Sequence, residues 1–332
     1  MIECIFTIDY ELYGNGEGSL AGQVLEPTET LTELFLERDK RFVTFVEVAE
    51  LEIIEANGTD SVIDAVKRQI KSLYTHGFEI GLHIHPQWYN ARYEKGRWRL
   101  DSSEYNLCVL PQERIEHILR RAIHYLQTVL KQPDFAPVSF RNGNWLFQPS
   151  QPLATILAEF DFKVDSSVFK GGYQHKHGMD YRKSLKNGYY WKFNRDVNRA
   201  DPQAVLIEIP TFTNMVFAWK MLGQKRAKLQ HLASSTYPLA ARLNRLQDFV
   251  RIRQPLKLDY CRLSLRELIS LFERVRKADI KHPESFKPVV AIGHTKDLVD
   301  FETVERFLDY LNEKNIPIAT FEHMYKKCER TP

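Results

Sequence analysis

Cysteine is scarce in this chain. Its four residues, Cys4, Cys108, Cys261 and Cys328, are isolated, and no two have the spacing of a metal-binding pair. This excludes a cysteine-based zinc module or a disulfide scaffold, and it fits reduced thiols in a cytoplasmic protein. Long hydrophobic runs are also missing. None approaches the roughly 20 residues that a membrane helix requires. The first residues, Met1-Ile2-Glu3-Cys4-Ile5-Phe6, lack a basic segment followed by an apolar stretch and a cleavage site, so no secretory signal is expected. Neither sign of charge dominates: 46 Lys and Arg face 43 Asp and Glu, and a net charge of +3 gives no reason to expect a nucleic-acid partner. No low-complexity tract, linker or repeat divides the 332 residues, so one domain over 1–332 is the expectation. Gly14, Gly16, Gly18 and Gly22 crowd one loop but lack the spacing and the following helix of a phosphate cradle.

What is present is alternation. Ile2 to Ile8 is an apolar strand running into Asp9-Tyr10-Glu11. Pro27 to Glu37 has helical spacing, with Leu31, Leu34 and Phe35 on one face, and Arg41 to Val48 is a β-branched and aromatic strand. Ser61 to Tyr74 carries one apolar stripe, Gly77 caps it, and a strand to His83 follows. This β-α-β-α-β order predicts a parallel sheet with crossover helices, in which chemistry gathers at the C-terminal strand ends. Residues 87–110 form an aromatic and basic loop, and Pro111 opens a long helix ending near Leu130. Short strands follow at Val138–Phe140, Phe162–Val164, Val205–Ile209 and Val289–Gly293. Helices are expected over Pro152–Phe160, Ser264–Arg276 and 301–314, with a last strand near Ile316 to Thr320. Residues 169–204 read as an irregular lid over the mouth, and residues 214–262, rich in Lys and Arg, as a basic helical insert. The insert reads as a solvated face more readily than as a surface for an anionic glycan, a lipid-linked carrier or a membrane.

The polar residues that fall on strand ends are Asp9 and Glu11, His83 and His85, Arg141, Asp165, and His294. His83 and His85 are two apart, so a strand turns both to one side. Two imidazoles and one carboxylate leave a position open on a divalent metal, which is the pattern of a catalytic rather than a structural site. A second carboxylate can take a proton from water, and a histidine across the cleft can give one to a leaving group. An arginine can hold the basic carboxylate through paired hydrogen bonds. A further pair, His175 and His177, has no strand beneath it and holds Lys176 between its members, so it is poorly preorganised as a metal site.

The ordered set Thr7-Ile8-Asp9-Tyr10-Glu11, Glu79 to Pro86, Phe140-Arg141-Asn142-Gly143, Asp165-Ser166-Ser167 and Gly293-His294-Thr295-Lys296 resembles the motif series of polysaccharide deacetylases, carbohydrate esterase family 4, over roughly residues 2–325. The resemblance implies an α/β fold, a distorted barrel of about seven β/α units. It also implies metal-dependent removal of acetyl groups from N-acetylated sugars. Carried over, Asp9 is the catalytic base, Arg141 its orienting partner, Asp165 the acid that tunes the catalytic histidine, and His294 the general acid. His83 is the first metal histidine, with His85 beside it. Tyr10 stands where the family has a second aspartate, so the third ligand is expected to be Glu11 first, whose longer side chain helps to span the gap between strands, and Asp9 second. The family's two histidines are four residues apart, whereas here they are two apart, which places the chain in a divergent branch. The metal expected is Zn, with Co or Ni as alternatives. Trp88, Trp145 and Tyr181 are the expected substrate-facing aromatics. The expected substrate is an acetylated sugar or glycan, nucleotide- or lipid-linked, used in surface polysaccharide synthesis. Two rival readings are a degenerate barrel that binds glycan without catalysis and a metal hydrolase of a different C–N amide.

Overall fold

The computed structural model describes residues 1–14, 16–221, 223, 225 and 251–330. Its centre is an eight-stranded sheet in the order Trp191–Lys192, Ile207–Glu208, Val164–Asp165, Ser139–Asn142, Glu79–Ile84, Val43–Glu47, Ile2–Tyr10, Lys287–His294. Every neighbouring pair is parallel except the first. The sheet curls into an incomplete barrel. Its open side is bridged by Thr211, which pairs with both Phe169 and Val290, and by Asp259, which pairs with Ile292. All nine residues of Ile2–Tyr10 and all eight of Lys287–His294 are buried, as strands covered on both faces must be.

Crossover helices form where apolar residues recur at helical spacing. Ile63–Thr75 buries Val66, Ile70 and Leu73, and Gln112–Leu130 buries a stripe from Ile115 to Leu130. Leu265–Lys281 begins with the expected capping box between Ser264 and Glu267. No helix among the described residues is long and apolar enough to cross a membrane.

Several elements differ from those expected, including a hairpin of Arg92–Glu94 with Arg97–Arg99 in the stretch read as a loop. Val48–Asn57 is a helix that follows directly on its strand, with Glu47 as the N-cap accepting from the Glu50 N–H. Its apolar residues lie all round, so helical periodicity gives no signal. The last strand is reduced to a single bridge between Ile318 and Cys4, and Phe321–Arg330 is a helix. Within 169–204, Trp191–Lys192 joins the main sheet as its edge strand, so that stretch is not wholly a lid. The ends of the basic insert, Thr213–Phe217 and Arg253–Lys257, are paired antiparallel strands rather than helix. The rest of the insert's proposed helical part, residues 222, 224 and 226–250, lies outside the described residues.

Candidate metal and catalytic site

Strand register gathers the site. Asp9 lies opposite His294, Glu47 opposite His83, and His83 opposite Arg141, all at C-terminal ends. Alternation along the first strand separates Asp9 from Tyr10. The Tyr10 ring is buried on the other face, where its hydroxyl donates to Gln69 Oε1 at 2.8 Å. Tyr10 therefore belongs to the core under helix Ile63–Thr75.

The strand carrying His83 ends at Ile84, but His85 keeps an extended backbone (φ −106°, ψ 91°), so both rings stay on one side with centroids 4.8 Å apart. Gly143 makes room for the second ring. A Cβ at position 143 would lie 2.5 Å from the Ile84 carbonyl and 2.8 Å from the His85 ring. Glu11 Oε2 lies 3.4 Å from His83 Nε2 and 3.1 Å from His85 Nε2. Donors placed 2.0–2.1 Å from a tetrahedral metal are about 3.3 Å from one another, and both distances from the Glu11 oxygen to the imidazole nitrogens are close to that. Glu11 is thus the better placed of the two candidate third ligands, because Asp9 is held by Arg141. Glu47, which the sequence reading passed over, joins the set: donor atoms of Glu11, Glu47, His83 and His85 lie within 4.8 Å of one another.

The tautomers fit a metal as well. His83 Nδ1 is 2.7 Å from the Arg141 carbonyl oxygen, which can only accept, so Nδ1 carries the proton and Nε2 offers a lone pair. His85 Nδ1 is 3.2 Å from the Gln87 side-chain amide, whose Oε1 is buried without a partner. Turning that amide over satisfies Oε1 with the Nδ1 proton and frees His85 Nε2 in the same way. Two lone pairs and a carboxylate then converge on one point, an arrangement that is repulsive unless a cation occupies it. The titration of His83 shows the same demand. Burial opposes charge on its ring, yet Glu11 and Asp9 outweigh burial and hold its pKa above the ordinary value. For Glu11, burial is outweighed by Lys296 and the two imidazoles, leaving its carboxyl well below the usual range. Lys296 Nζ donates to Glu11 Oε1 at 2.7 Å and to the Leu12 carbonyl at 2.9 Å, fixing the carboxylate with Oε2 toward the histidines.

Asp9 and Arg141 form the second half of the site. Arg141 Nη1 donates to Asp9 Oδ1 at 2.5 Å, Nη2 to Thr7 Oγ1 and Ser166 Oγ at 3.0 and 3.2 Å, and Nε to the Ser166 carbonyl at 3.1 Å. The guanidinium lies over the Phe45 ring, 4.1 Å from its centroid. Burial pushes the Asp9 carboxyl up, but Arg141, His83 and His294 bring it below its ordinary value. Asp9 Oδ2 faces His294 Nε2 at 3.4 Å. Burial lowers the His294 pKa, so the ring rests neutral at neutral pH.

Three expectations need correction. Asp165 does not hydrogen-bond His294. It accepts from Ser167 Oγ at 2.6 Å and lies opposite Glu208 in the sheet, while burial raises its pKa to about 6. The acids facing His294 are Asp9 and Asp297, the latter held by Arg262 Nη2 at 2.5 Å. Trp88 is buried against Trp98, with ring centroids 5.3 Å apart, so its ring serves packing rather than substrate. Tyr181 is likewise buried, and its hydroxyl donates to the Trp145 carbonyl at 2.5 Å while accepting from the Phe147 N–H at 2.8 Å. Trp145 is partly exposed beside Arg141, whose guanidinium carbon is 5.7 Å from the ring centroid. The histidines of the other pair do not converge on a site: His175 Nδ1 meets the Tyr173 hydroxyl at 3.2 Å, and His177 stacks on Tyr105.

Tyr181 supports a strained loop, for Asn144 and Trp145 have φ of 56° and 63°. Tyr181→Phe leaves the Phe147 N–H buried without an acceptor. It is expected to cost about 1–3 kcal/mol in stability, measured by urea denaturation. A change below about 0.3 kcal/mol would show that the loop holds itself.

By sequence, no family model matches the chain and no curated protein matches it. By structure, it is similar to a protein from Mycobacterium smegmatis described as a polysaccharide deacetylase. The TM-score is 0.55 at 14% identity, over 98% of this chain and 89% of that one. A second protein so described, from Pseudomonas aeruginosa PAO1, gives a TM-score of 0.53 at 11% identity, over 99% and 91%. An allantoinase gives 0.50 at 10% identity, over 98% and 89%. The fold is therefore that of the polysaccharide deacetylase barrel, and it is shared with a protein described as an allantoinase.

Proposed function

We propose that the chain is a metal-dependent hydrolase that removes the acetyl group from an N-acetylated sugar. The observation that carries this is that His83 Nε2 and His85 Nε2 both lie within 3.4 Å of Glu11 Oε2, about the separation of ligands on a tetrahedral metal, beside an Arg-held aspartate. Those three residues would hold the metal, with Glu47 next to them, and zinc suits the two nitrogens and one oxygen. When bound, such an ion polarises a carbonyl oxygen and makes nearby water more acidic.

The chain's own residues supply the rest. Asp9, kept ionised by Arg141, takes a proton from the attacking water at Oδ2, while Arg141 fixes the carboxylate through Oδ1. His294 Nε2, 3.4 Å from Oδ2, is placed to receive that proton and give it to the departing sugar nitrogen. A neutral resting His294 suits this relay better than a permanently charged one. Trp145, half-exposed at the rim, offers an aromatic face to a sugar ring.

Because the same fold accommodates an allantoinase, the fold alone does not choose the amide. Dialysis against chelator is expected to abolish acetate release from N-acetylated sugars, and Zn, Co or Ni to restore it, with loss of an acetyl mass from the sugar in the mass spectrum. Retained glycan binding with no bound metal would instead identify a non-catalytic barrel. Hydrolysis of other amides alone would reassign the substrate.

A further inference from the structure

The carboxylates around the rim that stay charged each face a cation. Asp9 has Arg141, Glu11 has Lys296, and Asp297 has Arg262, which also lies 3.8 Å from Asp259. Lys257 breaks this pattern. Among the described residues its Nζ has no hydrogen-bond or ion-pair partner, and it lies 3.9 Å from the centre of the Trp145 ring and 4.9 Å from that of Phe169. Contact with aromatic faces attracts an ammonium but gives its three N–H groups no acceptor. The position is fixed by the fold. Lys257 ends strand Arg253–Lys257, and the residues after it run along strand Lys287–His294, where the Leu258 carbonyl accepts from the Ile292 N–H at 2.9 Å and the Tyr260 N–H donates to the Ile292 carbonyl at 3.0 Å. Trp145, against which Lys257 rests, is also the ring beside Arg141, so the ammonium lies at the mouth of the site near the catalytic pair. Burial brings the amine down to about 8, with Asp259 and Asp9 opposing the shift and Arg262 and Arg141 adding to it.

We propose that Lys257 binds an oxyanion carried by the sugar substrate, so that the deacetylated molecule is an acidic rather than a neutral glycan. This rests on the deacetylase reading for the word substrate, but not for the binding. Two sources offer the same chemistry, a uronic-acid carboxylate in the chain or a phosphate on the reducing end, and each calls for its own probe. Calorimetric titration of the metal-loaded protein should use three ligands: N-acetylglucosamine 1-phosphate, a uronic acid–N-acetylglucosamine disaccharide, and neutral diacetylchitobiose. At least one acidic probe is expected to bind about tenfold or more tightly than the neutral one, weakening with added salt. That preference should fall below about threefold in Lys257→Gln and return in Lys257→Arg. Equal affinity for all three ligands, no binding of any of them, or an unchanged preference in Lys257→Gln would overturn the proposal. Acid-selective binding without acetate release would remove the deacetylase reading and leave this one standing. Acetate release without acid selectivity would do the reverse.

Discussion

His83→Ala is expected to lose its bound metal and at least about 10³-fold in kcat/KM, because several kcal/mol of transition-state stabilisation leave with the ion. The ring has two duties that no neighbour can assume. Its Nδ1–H is held by the Arg141 carbonyl at 2.7 Å, and its Nε2 faces Glu11 at 3.4 Å. Elemental analysis should read about one equivalent of metal in the parent protein and close to none in the variant. Glu47→Gln is the informative companion. Burial, with Glu50 and Glu11 nearby, raises the Glu47 carboxyl well above the ordinary range, whereas a bound metal would favour its ionised form. If Glu47 is a neutral neighbour, the glutamine variant keeps its metal; if it is a fourth ligand, metal content falls. Full metal and activity in His83→Ala would end the metal reading altogether.

Much of this site was legible because a strand obeys a period of two. His83 and His85 share a side for that reason, and Tyr10 leaves it for the same reason. The rule stops where the strand stops. Glu11 lies beyond Tyr10, where alternation no longer holds, so its reach was the ground for preferring it over Asp9; in the structure Lys296 and Arg141 fix one carboxylate each. Glu47 had the same signature as Asp9, an acid at the end of an apolar strand, and was there to be found. Lys257 had no such signature, being one of many basic residues in its stretch of sequence. The aromatic assignments failed for a different reason. Composition does not tell a rim from a small core, and packing on Trp98 decides the matter for Trp88. Asp165 fell to topology: its strand places it opposite Glu208, whereas Asp297 reaches His294's surroundings from the turn just past His294 itself.

Arg141→Leu should destabilise the protein by about 3–5 kcal/mol, the cost of leaving a buried charge without its partner. Arg141 is 1% exposed and Asp9 3%, so water does not replace the lost contact cheaply. The change also strips hydrogen bonds from Thr7, Ser166 and the Ser166 carbonyl, and removes the cation from the Phe45 face. The size of the loss alone does not separate the ion pair from packing, and a double-mutant cycle does. Asp9→Asn removes the charge that Arg141 compensates, so Asp9→Asn/Arg141→Leu is expected to be more stable than the sum of the single changes predicts, with a coupling of about 1–3 kcal/mol. Arg141→Lys keeps the charge but not the planar fork, and should recover only part of the stability. Urea denaturation midpoints measure all four. Activity adds a second reading: Asp9 in Arg141→Lys remains ionised but loosely held, so kcat should fall while metal content stays near one equivalent. Additive single changes would show that Asp9 is stabilised by something other than Arg141, and the base would then need another orienting group.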